Sequence, residues 1–325
     1  MATAPAPATS DPDPDPNAGR RTALRVGSAG RFGPLTQVDP EPAHLKPGLR
    51  ALSELAAPAE ADRVATIGRP WDLLIHQAEA IAADVAGLRS QTPLPPHTVV
   101  LGDHAVTLGE GVEVQPHTVL DARRGPIHLG DHSTAGPCAV LEGPIATGPH
   151  CVISPQSHLR GPVTLGRHTK VGGELKGCIV GDYSNKAHYG YLGDAIVGRW
   201  CNLGAGTTVS NLKNTYGEVR VALDMAAPGG GTPEPTGRQF QGPILGDFVR
   251  TAIGTRLLTG SVVGAGACLA ISGFAPKFVP AMRFLTDAGD APMDPDAFFA
   301  TLTRMLDRRG LTVDDALRAR LAALM

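Results

Sequence analysis

The sequence predicts a parallel β-helix, a tube of short strands wound in three-sided coils, and three observations predict it. First, an aliphatic residue followed by Gly recurs at Leu101, Leu108, Leu129, Leu165, Val180, Leu192, Val197, Leu203, Leu245, Ile253 and Val263. Second, Leu129, Thr147 (in Thr147-Gly148-Pro149-His150) and Leu165 stand 18 residues apart, as do Leu245 and Val263, while Val197 and Leu203 stand 6 apart. A period of 6 nested in one of 18 marks a hexapeptide repeat in which three strands complete a coil. Third, 40 Gly and 29 Pro against 4% aromatic residues suit a narrow tube filled with Val, Leu, Ile and Ala. One coil cannot bury its own apolar side, so a core forms only as coils stack at about 4.8 Å.

The elements follow in chain order. Residues 1–20 are Ala, Pro and Asp with hardly a bulky apolar side chain, which predicts a disordered tail. They lack the apolar run of a secretory signal. Residues 21–95 form a small N-terminal segment with a capping helix. Within it, Arg69 to Leu88 reads as that helix, because Trp71, Leu74, Ala78, Ile81, Val85 and Leu88 fall at helical spacing and Pro70 suits a first turn. The helix is expected to cover the open end of the tube at its first coil. Residues 96–275 are the β-helix, with an excursion at 212–243 whose core is rich in Gly and Pro. Such a departure projects where a ligand or a neighbouring subunit is met. Residues 276–325 read as a C-terminal helical cap on the last coil. Asp294-Pro295 opens one helix, Gly310 ends it, and Thr312 caps another that runs through Leu321.

Composition excludes several classes. The balance of 29 basic and 31 acidic residues gives no reason to expect nucleic acid or an anionic membrane surface as a partner. No stretch approaches the ~18 apolar residues of a membrane span. All five cysteines fall inside the repeat region and none forms a C-x-x-C pair, so no metal site is expected and a reduced, cytoplasmic protein is.

The segment from Val180 to Asn211 carries polar groups that the repeat does not need: His188, Tyr191, Asn202 and Asn211. Residue type alone does not mark them as a site. Nine of the eleven histidines lie between His97 and His188, and His104, His132, His150 and His168 read as solvent-facing turn residues. Arg160, Lys176 and Lys186 read equally as surface charges, and Asn202 and Asn211 as residues that stabilise bends. Tyr191 is more telling, being bulky in a chain poor in aromatics.

Neighbours sharpen the reading. Lys186-Ala187-His188-Tyr189-Gly190-Tyr191-Leu192-Gly193-Asp194-Ala195, followed by Cys201-Asn202-Leu203-Gly204-Ala205-Gly206-Thr207 and Asn211, resembles the acetyltransferase half of the bacterial bifunctional enzyme that acetylates and then uridylylates glucosamine-1-phosphate. The resemblance covers about 97–275. It implies a left-handed β-helix, a homotrimer with its site between subunits, and acetyl-CoA as co-substrate. It also implies His188 as catalytic base and Arg160, Lys176, Tyr191, Asn202 and Asn211 as contacts to the sugar and its phosphate. The backbone at Ala205 would face the thioester, and Thr255 would lie along the pantetheine arm. The Arg-Pro-Trp-Asp-Leu segment at 69–73 looks more like a group of sugar-nucleotidyltransferase-like proteins with the same β-helix. The chain departs from the acetyltransferase pattern at Tyr189-Gly190, at the excursion after Asn211, and in lacking the family's basic C-terminal tail. Upstream, Gly27 to Thr36 resembles the Gly-rich phosphate loop of sugar-phosphate nucleotidyltransferases. Only about 60 residues separate it from the coils, too few for the parent α/β domain, so no nucleotidyl transfer is expected.

The implied chemistry needs a base for the sugar ammonium, which a His near its ordinary pKa supplies, and a backbone N–H for the tetrahedral oxyanion. Cys201 sits where a small buried residue is expected, so direct transfer is preferred to a cysteine relay. The expected function is CoA-dependent N-acetylation of an amino-sugar phosphate or sugar nucleotide. One alternative is a non-catalytic β-helix, a regulatory or assembly module of a sugar nucleotidyltransferase system. A further one is a γ-class carbonic anhydrase, for which His150, His158 and His168 would have to meet on a zinc ion.

Overall fold

The computed structural model describes residues 25–26 and 66–325. The 1–20 tail and the Gly27–Thr36 loop lie outside the described residues. Coils of parallel strands stack into a tube with three faces. The first face contains Val106–Leu108, Ile127–Leu129, Ile145–Thr147, Ile196–Val197, Ile244–Leu245, Val262–Val263 and Phe278–Val279, with the later halves of His158–Leu165 and Glu174–Val180. The second face runs from Glu113–Val114 through Lys170–Val171, Asn185–Lys186, Asn202–Leu203 and Arg250–Thr251 to Arg283–Thr286. The third carries Val99–Leu101, Val119–Asp121, Val140–Glu142, the early halves of the two long strands, and Tyr191–Gly193.

Alternation along each strand turns one residue per step inward. On the third face this gives the column Leu120, Leu141, Leu159, Leu175 and Leu192, in register and each 0% exposed. Burying each is worth about 1.5–3 kcal/mol. The first corner, between the first and second faces, is regular: His132, His150, His168, Tyr183, Trp200, Phe248 and Met282 all adopt left-handed backbone there.

Three expectations are corrected. Helix α1 (Asp72–Val85) does not cover the end of the tube but lies along the first face. Its Gln77 amide donates to Thr164 Oγ1 at 3.0 Å and to the Cys178 carbonyl at 2.9 Å. At about 1.5 Å per residue the helix is ~21 Å long and spans about four coils. Its narrow stripe of Leu74, Gln77, Ile81 and Val85 therefore fits a flat wall. The excursion joins it there. Val219 and Val221 pack with Trp71, Ile244 and Val262, and Arg69 Nε reaches Glu234 at 2.5 Å.

The coils also continue beyond residue 275. Phe278–Val279 and Arg283–Thr286 extend the first and second faces, and a hairpin to Gly289–Pro292 follows. The aliphatic-Gly step is masked here because Pro280 follows Val279. Helices α2 (Pro295–Asp307) and α3 (Asp315–Ala322) then pack along the first corner, with Phe298, Leu302, Leu306, Leu317 and Leu321 buried against Trp200, Phe248 and Met282. The cap of α3 is Asp314, which accepts from Leu317 N at 2.6 Å, and not Thr312.

Candidate functional site

The site begins with a shortened coil. From Leu165 to its register partner Val180 the chain takes 15 residues rather than 18, and the second corner there is only Gly172-Gly173. This shortening sets Arg160 beside Lys176, and Lys176 beside Gly193, on the third face.

At the third corner, where the third face gives way to the first, a polar cluster forms around Asp194, whose side chain is 10% exposed. Asn211 Nδ2 donates to Asp194 Oδ2 at 2.6 Å and to Tyr191 Oη at 2.9 Å. Lys176 Nζ lies 3.7 Å from Asp194 Oδ2, and Arg238 Nη2 lies 3.3 Å from Asp194 Oδ1. Gly193 is required here, since the Tyr191 ring runs directly over it and a Cβ would collide with the phenol. Burial, followed by the Asp194 charge, pushes the Tyr191 phenol up to about 12. It therefore stays protonated, and with its oxygen accepting from Asn211 its own O–H is left to donate. One coil back, Arg160 pairs with Glu174 at 3.1 Å, and both side chains are well exposed. His158 Nε2 lies 2.6 Å from Glu142 Oε1.

The excursion completes this cluster. Its return arm bridges Phe240 to Leu212, and Gln241 N donates to the Asn211 carbonyl at 2.8 Å. Arg238 is thereby set on Asp194, and the Phe240 ring lies 4.6 Å from Lys176 Nζ. Neither residue was expected in the site. They arrive from outside the repeat and leave no mark in its spacing.

At the second corner, between the second and third faces, the turn Ala187-His188-Tyr189-Gly190 leads into Tyr191. The His188 ring is exposed, and Tyr189, 73% exposed, lies over Gly206 in the next coil, where a Cβ would come within 2.9 Å of the Tyr189 hydroxyl. The Gly254 amide donates to the Ala205 carbonyl at 2.7 Å, and exposed Ile253 follows in line.

The expected residues thus divide. Lys176, Tyr191 and Asn211 come together, with Arg160 adjacent in register. His188 stands apart from them, in the turn that precedes the strand Tyr191–Gly193. Asn202 is exposed on the second face, between Asn185 and Arg250, and not beside Tyr191, because its strand enters the corner that His188 and Tyr191 occupy or leave. Thr255 is fully buried, with its hydroxyl turned back to the Ala252 carbonyl at 2.9 Å, so its side chain cannot line a pantetheine arm. Thr118, Ser157 and Ser261 bond the third carbonyl before them in the same way.

Two other expectations change. Lys186 is buried rather than a surface charge. The first-corner histidines are not independent turn residues: His132, His150, His168, Tyr183 and Trp200 stack in sequence with ring centroids 5.2, 4.6, 5.0 and 4.3 Å apart. His158 lies on the third face and does not converge with His150 and His168 within the chain. Among the described residues no group of three His, Cys, Asp or Glu is arranged to hold a metal ion. No helix among them is long and apolar enough to cross a membrane.

No family model matches the chain. In sequence it is 30% identical over 112 residues to the bifunctional protein GlmU of Methanococcus vannielii, covering 34% of this chain and 25% of that protein. It is 33% identical over 94 residues to a bifunctional sugar-1-phosphate nucleotidylyltransferase/acetyltransferase of Sulfurisphaera tokodaii, covering 29% and 22%. With GlmU of Heliobacterium modesticaldum the match extends to 188 residues at 30% identity, or 53% of this chain and 34% of that protein. The chain therefore spans about a quarter to a third of the length of these relatives. Among solved structures, the UDP-N-acetylglucosamine acyltransferase of Francisella novicida aligns over 67% of this chain and 74% of its own, at 16% identity and a TM-score of 0.25. The chain is a hexapeptide-repeat β-helix similar in sequence to part of the bifunctional GlmU proteins.

Proposed function

We propose that the chain is an acyl-CoA-dependent N-acyltransferase that acetylates an amino sugar carrying a phosphate, either a sugar 1-phosphate or a sugar nucleotide. One observation carries this reading: the turn bearing exposed His188 leads into the third-face strand Tyr191–Gly193, and at the exit of that strand the Tyr191 hydroxyl meets the cations Lys176 and Arg160 of the two neighbouring strands. A sugar laid along that strand would set its phosphate against the cations and its amine near the imidazole. The relatives support the acetyl donor and the sugar phosphate, since one of them joins sugar-1-phosphate nucleotidylyl transfer to acetyl transfer.

In the proposed reaction His188 accepts the ammonium proton, and the amine nitrogen attacks the thioester carbonyl of acetyl-CoA. The C–N bond forms, the C–S bond breaks, and the nitrogen's second proton is released as the amide forms and passes to the departing CoA thiolate. Tyr191 donates to a sugar oxygen, and Asp194 holds Asn211 and Lys176 in place. The donor would run along the second corner past Ala205 and exposed Ile253. A second copy of the chain would close this side, as expected of a homotrimer, and Asn202, facing away from the cluster, is then placed to serve a neighbouring copy's site.

The test is His188→Ala, assayed for CoA release with glucosamine 1-phosphate. Loss of a positioned base predicts a kcat lower by about 10²–10⁴-fold with KM retained. Wild-type kcat in the variant would remove His188 from the mechanism. The alternative, a non-catalytic module, is favoured by the inward turn of Thr255, which removes one expected CoA contact. It predicts that calorimetry finds no binding of acetyl-CoA.

A further inference from the structure

We propose that Lys186 is a positioning residue that fixes the turn carrying His188 for proton transfer; this inference rests on the acyltransferase reading above. Its place in the repeat is anomalous. On the second face the inward column runs Val114, Ala135, Ile153, Val171 and then Lys186, each in register with the last. A lysine therefore occupies a position that the scaffold fills with aliphatic side chains, and it is only 3% exposed.

Among the described residues no carboxylate pairs with it. Its ammonium donates instead to the His188 carbonyl at 2.6 Å and the Gly172 carbonyl at 2.8 Å. Burial draws its pKa down to about 8, against a smaller opposing effect of Cys178. A buried cation with no counter-charge is costly, so an aliphatic residue here would serve stability better. The cost is met at the one corner where the candidate base sits.

The turn shows what the lysine contributes. Every carbonyl from Ala187 to Gly190 has a donor: Ser154 Oγ to Ala187 at 3.1 Å, Lys186 Nζ to His188, Gly206 N to Tyr189 at 3.1 Å, and Glu174 N to Gly190 at 3.3 Å. The backbone of His188 is pinned from the coil before, the coil after and the core beneath, and only its ring is free. Of these four donors, Lys186 alone acts on His188 itself. Among the described residues no neighbouring backbone N–H reaches the His188 carbonyl, so the turn needs such a tie.

The experiment is Lys186→Met in the full-length protein, which restores an apolar column and keeps the volume. The thermal midpoint is expected to hold or rise. Amide exchange should quicken at Ala187–Tyr191 and nowhere else. With glucosamine 1-phosphate and acetyl-CoA, kcat should fall about 10²-fold, the scale of a misplaced reacting group, while KM for both substrates stays near the wild-type value. Adding His188→Ala to Lys186→Met should lower kcat no further than His188→Ala alone, since both act through one ring. In Lys186→Ala, a small alkylammonium ion should restore part of the lost kcat. Wild-type kcat and wild-type exchange in Lys186→Met would overturn the proposal, as would a fall in protection spread over all coils. If the wild-type protein transfers no acetyl group, the functional reading fails, and the exchange measurement alone then decides whether the clamp exists.

Discussion

At the first corner the coils present a ring or a long apolar side chain in left-handed backbone, from His132 through Tyr183 and Trp200 to Met282, broken in that run by Gly266 alone. At the second corner the coils present Pro116-His117, Pro137-Cys138, Pro155-Gln156, then Gly172-Gly173, then the four-residue turn 187–190. Both corners come from the same repeat. The first keeps its turn constant, so the rings from His132 to Trp200 fall one on the next, and α2 and α3 pack on Trp200, Phe248 and Met282 further along. The second changes its turn where the chain needs to bring groups from different coils together. Regularity in a solenoid builds scaffold, because every coil must satisfy the next. A local break must be held by groups the repeat does not supply: Lys186 does this at the second corner, as Asp194 and Arg238 do at the third.

This contrast can be broken experimentally, and the largest effect is expected on the scaffold side. Phe298→Ala removes a side chain 1% exposed, which packs edge-on to Phe248 at 6.4 Å and lies 5.9 Å from the Arg250 guanidinium. The loss should be about 3–4 kcal/mol in urea unfolding, with acyl transfer by the remaining folded protein unchanged. A fall in transfer with intact folding would tie the first corner to the site. Next comes Asp194→Ala, which leaves Lys176 and Arg238 sharing a space without their common acid. Breaking a buried pair costs about 3–5 kcal/mol, and the part exposure of the two cations reduces this to about 2 kcal/mol. Here stability and transfer should fall together, because the same carboxylate anchors Asn211 and the excursion.

The scaffold was legible in the sequence because its cause is periodic. Leu129, Thr147 and Leu165 lie in register on the first face, as their spacing of 18 predicts. Boundaries failed where a local residue hid the period, as Pro280 did after Val279. The helices were legible as helices but not in their placement. An amphipathic stripe states that a face is buried, and only the width of the wall decides which surface buries it. Within the site, the motif placed Tyr191 and Asn211 in one cluster with Lys176. Arg238 and Phe240 were illegible, since their positions follow from how the excursion folds back. Lys186 stands fifteen residues after Val171 in the same inward column, but a lysine is ordinarily at the surface, which hides its place in the core.

A smaller effect separates the corners by pH. Burial, then the positive charge of His150, Arg309 and Arg167, hold the His168 imidazole down to about 4, while Asp182 opposes this weakly. The folded state therefore resists a proton that the unfolded chain accepts near pH 6.5. The resulting stability is present above pH 6.5 and is lost as pH falls toward 4. Solvent screening at this partly exposed ring limits it to about 1 kcal/mol. His168→Phe keeps the stack and removes the titration. The difference in unfolding free energy between pH 7 and pH 4.5 should shrink by about that amount relative to wild type. An unchanged difference would place the acid sensitivity elsewhere.

The smallest effect on stability should accompany one of the clearest effects on function. Arg160 pairs with Glu174 at 3.1 Å with both side chains 42% exposed, and such a surface pair contributes about 0–1 kcal/mol. Arg160→Ala should therefore leave the urea midpoint nearly where it was, and added salt should erase what difference remains. In transfer assays the same change removes one of the two cations that the proposed function assigns to the phosphate. KM for glucosamine 1-phosphate should rise about tenfold, corresponding to ~1.4 kcal/mol of lost charge-assisted hydrogen bonding, with kcat little altered. Glucosamine lacking the phosphate should show no such rise. A variant with unchanged KM for both acceptors would make Arg160 a surface charge after all, and the phosphate would then have to be sought nearer Lys176 and Arg238. A rise for both acceptors alike would instead mean that Arg160 shapes the third face as a whole, which its exposed pairing with Glu174 gives no reason to expect.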